Sequence, residues 1–117
     1  MLYPRRMLAI AAAPPSATLV TAAGRAPLAI SSWCWGAKCG APIAASKGQA
    51  VAKLGETVRV ELKFVPTAAK VNVGGVRMRV TQSGRELSWV VRRGGGIAVR
   101  VTSPRGWVSY VGRLRLG

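Results

Sequence analysis

Apolar and polar residues alternate along most of the chain after Pro15, in short runs separated by turn residues at intervals of roughly ten positions. The alternation is clearest at residues 58–64, where valine, leucine and phenylalanine alternate with charged residues. A period of two places successive side chains on opposite faces of a β-strand. The pattern therefore predicts an all-β protein built from short antiparallel strands, each with one apolar face and one basic face.

Eight such runs predict strands. They cover residues 17–22, 27–33, 49–53, 57–64, 70–80, 86–92, 96–102 and 107–116. The pair Gly74-Gly75 lies inside one run, so it predicts either a bulge or a turn that divides the run. Hairpins are predicted at Ser83-Gly84 and at residues 94–96, where three glycines follow one another. Together these runs predict an immunoglobulin-like antiparallel sandwich of seven or eight strands, with a five-stranded OB-like barrel as the alternative.

The chain has 117 residues, enough for one domain with its own core. We expect residues 16–117 to form the β-domain and residues 1–15 to be a disordered extension or a signal-like segment, because Arg5 and Arg6 precede a short apolar run. Two alternatives for residues 1–15 are an organellar transit peptide and a start codon placed inside a longer gene. No uninterrupted apolar segment reaches the length of about 20 residues that a transmembrane helix needs.

The charge balance is strongly basic, with 18 Lys and Arg against three acidic residues and a net charge of +15. Such a surface attracts polyanions, which include nucleic acid, anionic lipid and acidic glycopolymers. The alternative is a solvated basic surface with no dedicated ligand, because the cations are spread along the chain as outward residues of the alternating strands. The candidate anion-binding residues are Arg77, Arg79, Arg92, Arg93 and Arg100.

Residues suited to catalysis are scarce. The sequence has no histidine and no aspartate, and its only carboxylates on side chains are those of three glutamates. General acid–base catalysis and metal binding both depend on these residue types, so we expect a protein that is not an enzyme and uses neither metal nor cofactor. The stretch from Arg92 to Gly96 could cradle a phosphate with its backbone amides. Its spacing matches neither nucleotide-binding fingerprint, and the favoured interpretation is a hairpin turn between surface arginines.

Both cysteines lie close together, at Cys34 and Cys39, with Gly36 between them. A disulfide would close a short hairpin-like loop and would require an oxidising compartment. Two reduced structural cysteines are the alternative. Trp33 and Trp35 share one face of the strand, opposite Cys34, and would form either an exposed platform for bases or sugars or a buried plug. Three further aromatic residues are expected in the core or at a sheet edge: Trp89, Trp107 and Tyr110.

The segment Ser32-Trp33-Cys34-Trp35-Gly36, followed by Cys39, resembles an immunoglobulin-like β-sandwich domain of uncharacterised exported bacterial proteins. In that family a Ser-Tyr-Cys-Trp or Ser-Trp-Cys-Trp segment follows an early strand. The resemblance extends loosely over residues 16–117. It implies a non-catalytic module, without a known ligand, that is secreted or associated with the cell envelope. The competing prediction is a cytoplasmic, basic β-barrel that binds nucleic acid.

Overall fold

The computed structural model describes residues 13–44 and 49–117, and this part of the chain consists of strands and turns without a helix. The all-β, antiparallel prediction is therefore confirmed. In chain order the twelve strands are β1 Thr18–Thr21, β2 Gly24–Pro27, β3 Ala29–Trp35, β4 Lys38–Gly40, β5 Ala50–Ala52, β6 Thr57–Glu61, β7 Ala68–Val73, β8 Val76–Arg77, β9 Thr81–Ser83, β10 Glu86–Val90, β11 Gly95–Ser103 and β12 Gly106–Leu116.

The strands form two sheets, which we call the small sheet and the large sheet. The small sheet has the order β2-β1-β6-β10-β9, and the large sheet has the order β4-β3-β12-β11-β7-β8. Strand β5 joins the large sheet by pairing with β12 in parallel, and every other pairing in the two sheets is antiparallel. The division into two sheets is that of a β-sandwich, and it differs from the five-stranded OB-like barrel that was the alternative.

The core lies between the sheets and follows the alternation in the sequence. On β6, Val58 and Val60 are fully buried while Arg59 between them is exposed. The ring of Trp35 on β3 lies 5.1 Å from the ring of Phe64, measured between centroids. Because Trp35 belongs to the large sheet and Phe64 follows the last strand residues of β6, this contact joins the two layers. Inward side chains of both sheets thus form one shared apolar interior.

Glycine turns explain why the strands outnumber the seven or eight that were predicted. Gly74 and Gly75 have φ values of 59° and 82°, so they form the tight turn of a hairpin and divide the run 70–80 into β7 and β8. The hairpin at Ser83-Gly84 is confirmed, since Ser83 pairs with Glu86. Short strands β2, β4 and β9 had too few residues to show an alternating pattern.

The hairpin predicted at residues 94–96 is wrong. Strand β10 belongs to the small sheet and β11 to the large sheet, so residues 91–94 cross from one sheet to the other. Gly95 and Gly96 are already part of β11, where they pair with Leu114 and Arg113. A glycine cluster is compatible with both arrangements, and only the pairing partners of the flanking strands distinguish a hairpin from a crossing.

Pro14, near the start of the described residues, is buried. The hydroxyl of Tyr110 donates a 2.7 Å hydrogen bond to the carbonyl oxygen of Pro15, and burial raises the pKa of Tyr110. Residues 1–12 lie outside the described residues, so the predicted signal-like or disordered segment falls largely there. Within residues 13–44 and 49–117 the structure contains no helix of the length and apolarity needed to cross a membrane.

Candidate functional site

A cleft of ≈ 430 Å³ lies at the side of the sandwich where two connections cross between the sheets. Residues 78–80 cross from β8, at the edge of the large sheet, to β9, at the edge of the small sheet. Residues 91–94 cross in the opposite direction, from β10 in the small sheet to β11 in the large sheet. The lining residues are Thr57, Arg77, Met78, Arg79, Thr81, Ser88, Trp89, Val90 and Arg92.

Three of the five candidate anion-binding arginines meet in this cleft. Arg77 is the last residue of β8, Arg79 lies in the first crossing and Arg92 lies in the second. All three are exposed at their side chains. Arg77 is partly held in place, because its Nε donates a 3.3 Å hydrogen bond to Oδ1 of Asn72. β8 and the two crossings thus place three arginines, from positions up to 15 residues apart in sequence, in the lining of one cleft.

No carboxylate neutralises these arginines among the described residues, which include all three glutamates of the chain. Glu61 forms ion pairs with Arg25 and with Arg59, and Glu86 forms one with Arg59. The hydrogen bond from Arg25 is the main cause that lowers the pKa of Glu61. Glu61 and Glu86 share the outer face of the small sheet with Ser88, but their ion pairs are with Arg25 and Arg59. The three arginines of the cleft therefore keep an uncompensated positive charge that favours an anion.

Glu56, the third glutamate, ties two turns together. Its carboxylate accepts hydrogen bonds from the backbone N–H groups of Ala22, at 2.7 Å, and of Lys53, at 2.9 Å. These two bonds, with that of Ala22 the stronger influence, hold the pKa of the carboxyl below its usual range. The carboxylate of Glu56 is thus engaged by backbone groups and forms no ion pair with an arginine of the described residues, so its role is structural.

Hydroxyl groups and an open strand edge complete the cleft. Thr57 and Ser88 have the opposite parity to the buried residues of β6 and β10, Thr81 pairs with Ser88 on β9, and all three line the cleft. Oγ of Ser88 donates a 3.5 Å hydrogen bond to the carbonyl oxygen of Thr81. The backbone N–H of Val91 donates to the carbonyl oxygen of Glu56, so the backbone groups of odd-numbered residues of β10 form hydrogen bonds with β6. The backbone groups of even-numbered residues therefore point toward β9. The ladder with β9 ends at the pair Ser88 and Thr81. The backbone groups of Val90 therefore lie beyond the end of β9, at the cleft.

Trp89 also lines the cleft and belongs to the core, with 3% of its surface exposed. Its indole Nε1 is a buried donor without a hydrogen-bond partner in the described part of the chain. A buried N–H without an acceptor is unusual in a native fold and destabilises it by about 1–3 kcal/mol. The cleft therefore reaches the core at Trp89, and the NMR signal of its indole N–H can be used to detect binding in the cleft.

The other two candidate arginines are elsewhere. The side chain of Arg93 lies beside Gly74 at the turn between β7 and β8. Arg100 lies on the outer face of β11, where its guanidinium carbon is 4.1 Å from the centre of the Trp107 ring. Of the five candidate anion-binding arginines, Arg77, Arg79 and Arg92 therefore line one cleft, and Arg93 and Arg100 do not. The sequence could not distinguish Arg93 from Arg92, because the two residues are adjacent.

The two cysteines form the predicted disulfide. Cys34 and Cys39 are directly opposite each other on β3 and β4, and their Cα atoms are 3.9 Å apart. The turn between the strands contains Gly36, whose φ of 64° is the conformation that glycine adopts most readily. The described residues contain no free cysteine. The bridge closes a hairpin at the edge of the large sheet, distant in topology from the cleft.

The aromatic-surface interpretation of Trp33 and Trp35 is wrong, and the buried alternative is the observed one. The two residues are 8% and 4% exposed, and Nε1 of Trp33 donates a 2.9 Å hydrogen bond to the carbonyl oxygen of Ala41. Their shared parity placed both on the same face, which is the core face. Trp107 is instead the tryptophan that faces outward, half-buried beneath Arg100, although the sequence pattern placed it in the core or at an edge.

No protein-family model, no curated protein and no solved structure matches this chain. The resemblance to immunoglobulin-like domains of exported bacterial proteins therefore stays a prediction, and the function has to be inferred from the geometry of the cleft. Sequence reasoning missed Thr57, Thr81 and Ser88. The outward orientation of Thr57 and Ser88 could have been inferred from alternation, but β9 is too short to show a pattern at Thr81. Nothing local in the sequence places any of the three beside Arg77.

Proposed function

We propose that this protein is a non-enzymatic binding module, and that its cleft holds the anionic groups of a chain-like ligand. The observation that carries the proposal is the meeting of Arg77, Arg79 and Arg92 in a concave site without a carboxylate in salt-bridge distance. Guanidinium groups donate paired hydrogen bonds to phosphate, sulfate or carboxylate oxygens, so three of them suit a ligand with several negative charges.

The absence of histidine and aspartate supports a binding role over a catalytic one. The three glutamates are the remaining candidates for proton transfer; each is engaged by arginines or backbone amides, and none of them lines the cleft. A hydrolytic or transfer reaction would need a base or nucleophile within reach of the bound anion. The lining residues that could serve as nucleophiles are threonine and serine hydroxyls, and the lining contains no base to activate them.

We further propose that the protein acts outside the cytoplasm and that the sandwich is immunoglobulin-like. The Cys34–Cys39 disulfide supports the location, because disulfides persist in oxidising compartments such as the periplasm or the cell exterior. Two antiparallel sheets around one core support the fold assignment. A cytoplasmic nucleic-acid binder would share the basic charge, but a stable disulfide is rare in that compartment.

The test is the salt dependence of binding to inorganic polyphosphate, a plain polyanion. Each contacted phosphate adds about 0.7 to the slope of log affinity against log salt on a flexible single chain, taking single-stranded nucleic acid as the guide. The triple variant Arg77→Ala, Arg79→Ala, Arg92→Ala should therefore lose about 2 from that slope. A matched variant removes three exposed cations on β4 and β12: Lys38→Ala, Arg113→Ala and Arg115→Ala.

The matched variant lowers the net charge by the same three units, so it should keep nearly the full slope if the cleft is the site. Equal losses in both variants would mean that polyphosphate binds anywhere on the basic surface, and would refute the proposal. Circular dichroism and thermal melting of both variants check that each keeps the all-β fold. All six substituted residues are exposed, so we expect little change in stability.

A further inference from the structure

The shape and lining of the cleft bear on which polyanion it receives. Nucleic acid, anionic lipid and acidic glycopolymer all carry negative charge, so the arginines by themselves do not distinguish them. The rest of the lining does, because each of these ligands needs a different second contact. Single-stranded nucleic acid is held by bases stacked on exposed aromatic rings, a lipid needs an exposed apolar surface, and a glycopolymer needs partners for its hydroxyl groups.

Aromatic rings for base stacking are absent from the cleft as free surfaces. Trp89 is the sole aromatic residue of the lining and is 3% exposed. Elsewhere in the described residues, Trp33 and Trp35 are buried and Trp107 is covered on one face by Arg100. A single nucleic-acid strand would therefore gain phosphate contacts here without the stacking that normally adds to its affinity.

The lining contains three residues with hydroxyl groups, which can form hydrogen bonds with the hydroxyls of a ligand. Thr57, Thr81 and Ser88 line the cleft together with the three arginines, and the backbone of Val90 adds a donor and an acceptor beyond the end of β9. The apolar residues of the lining are Met78, Trp89 and Val90, of which Trp89 is buried and Met78 is half-buried against the core, so Val90 is the one with an exposed apolar side chain. Hydroxyls and cations that line one cleft complement a chain in which charged groups alternate with polyol units. A volume of ≈ 430 Å³ lies within the range of sites that take small molecules, which suits a short section of one such chain.

We propose that the ligand of the cleft is a single chain of an anionic glycopolymer, with its charged groups on Arg77, Arg79 and Arg92 and its hydroxyls on Thr57, Thr81 and Ser88. This inference rests on the proposed anion-binding function and adds the chemical class of the ligand. It also fits the extracytoplasmic location, since the disulfide and the ligand would then belong to the same side of the membrane.

The experiment compares four probes with the same number of charges in about 150 mM salt. The first is poly(glycerol phosphate), which carries one hydroxyl and one charge in each repeat. The second is inorganic polyphosphate, which has the charges without hydroxyls. The third is oligo(dT), whose phosphates are linked by sugars without free hydroxyls along the chain, and the fourth is duplex DNA. Affinities are measured by calorimetry for the wild type and for two variants.

One variant is the arginine triple described above, and the other removes the hydroxyls through Thr57→Val, Thr81→Val and Ser88→Ala. The wild type should bind poly(glycerol phosphate) about tenfold more tightly than polyphosphate, and more tightly than either DNA probe. The hydroxyl variant should lose that tenfold preference and keep its affinity for polyphosphate. Threonine to valine keeps the shape and strand preference of the residue, and Thr57→Val alone serves if the triple variant does not fold.

The outcomes separate the two proposals. Equal affinity for poly(glycerol phosphate) and polyphosphate, both lost in the arginine variant, would overturn the glycopolymer assignment and leave the anion site standing. Tighter binding of either DNA probe through the same arginines would overturn it in favour of nucleic acid. If no probe depends on the arginines, the anion-binding function itself fails. Movement of the Trp89 indole N–H signal in ¹⁵N NMR spectra, with that of Trp107 unchanged, locates the bound chain.

Discussion

Removal of the Cys34–Cys39 disulfide tests how far this bridge stabilises the sandwich. The two cysteines are separated by five positions, so the bridge closes a ring of six residues. The entropy of closing a loop of that size in the unfolded chain corresponds to about 2 kcal/mol. The hairpin has other supports, since Trp33 pairs with Gly40 and Trp35 pairs with Lys38 on either side of the bridge. The core face of β3 is buried independently of the sulfur atoms.

The double variant Cys34→Ser, Cys39→Ser should therefore fold and lose about 2 kcal/mol of unfolding free energy. With an unfolding entropy of about 2.1 cal/mol/K per residue over roughly 100 ordered residues, this loss lowers Tm by about 10 °C. Chemical denaturation followed by tryptophan fluorescence measures the first quantity, and calorimetry measures the second. The wild type in excess reductant is the control and should melt close to the double variant.

Two results would refute this reasoning. Loss of all folded structure in the double variant would mean that the segment from Trp33 to Trp35 depends on the bridge, so that the core is not built independently of it. An unchanged Tm would mean that the unfolded chain is not constrained by the ring as the loop-entropy argument requires. The same protein offers a check on location: titration of natively purified material should find no reactive thiol, and two free thiols would contradict the proposed export.

Two further predictions concern the packing of the domain. Tyr110→Phe removes the hydroxyl that donates to the carbonyl oxygen of Pro15 and should lower the unfolding free energy by about 1–2 kcal/mol in urea denaturation, with the cooperativity unchanged; no loss would mean that Pro14 and Pro15 do not pack in solution. The pKa of Glu56 is lower in the folded state than its ordinary value, so the stability it contributes is present at neutral pH and is lost as the pH falls through the folded pKa. Glu56→Gln should be less stable than the wild type at pH 7 and should lose less stability between pH 5 and acid pH; parallel curves would contradict the role of Glu56 in joining its two turns.

The alternation of residues determined which side chain faces the core on each long strand. Val58 and Val60 are buried with Arg59 exposed between them, as the period of two requires. The disulfide could also be predicted, because two cysteines around a glycine turn can meet within one hairpin. These features depend on neighbours within a few positions, and the chemistry of a short segment is sufficient to specify them.

The cleft was decided by the tertiary structure. Arg77, Arg79 and Arg92 are separated by as many as 15 positions and meet because two connections cross between the sheets at the same side. The alternation of Arg77 or Arg92 with its neighbours is the same whether the next strand pairs in its own sheet or in the other one. Strand pairing depends on the total apolar surface buried between distant segments, which no local pattern contains. The glycines at residues 94–96 correctly predicted that one strand ends and another begins near them. For the same reason they could not show whether the connection is a hairpin or a crossing between sheets.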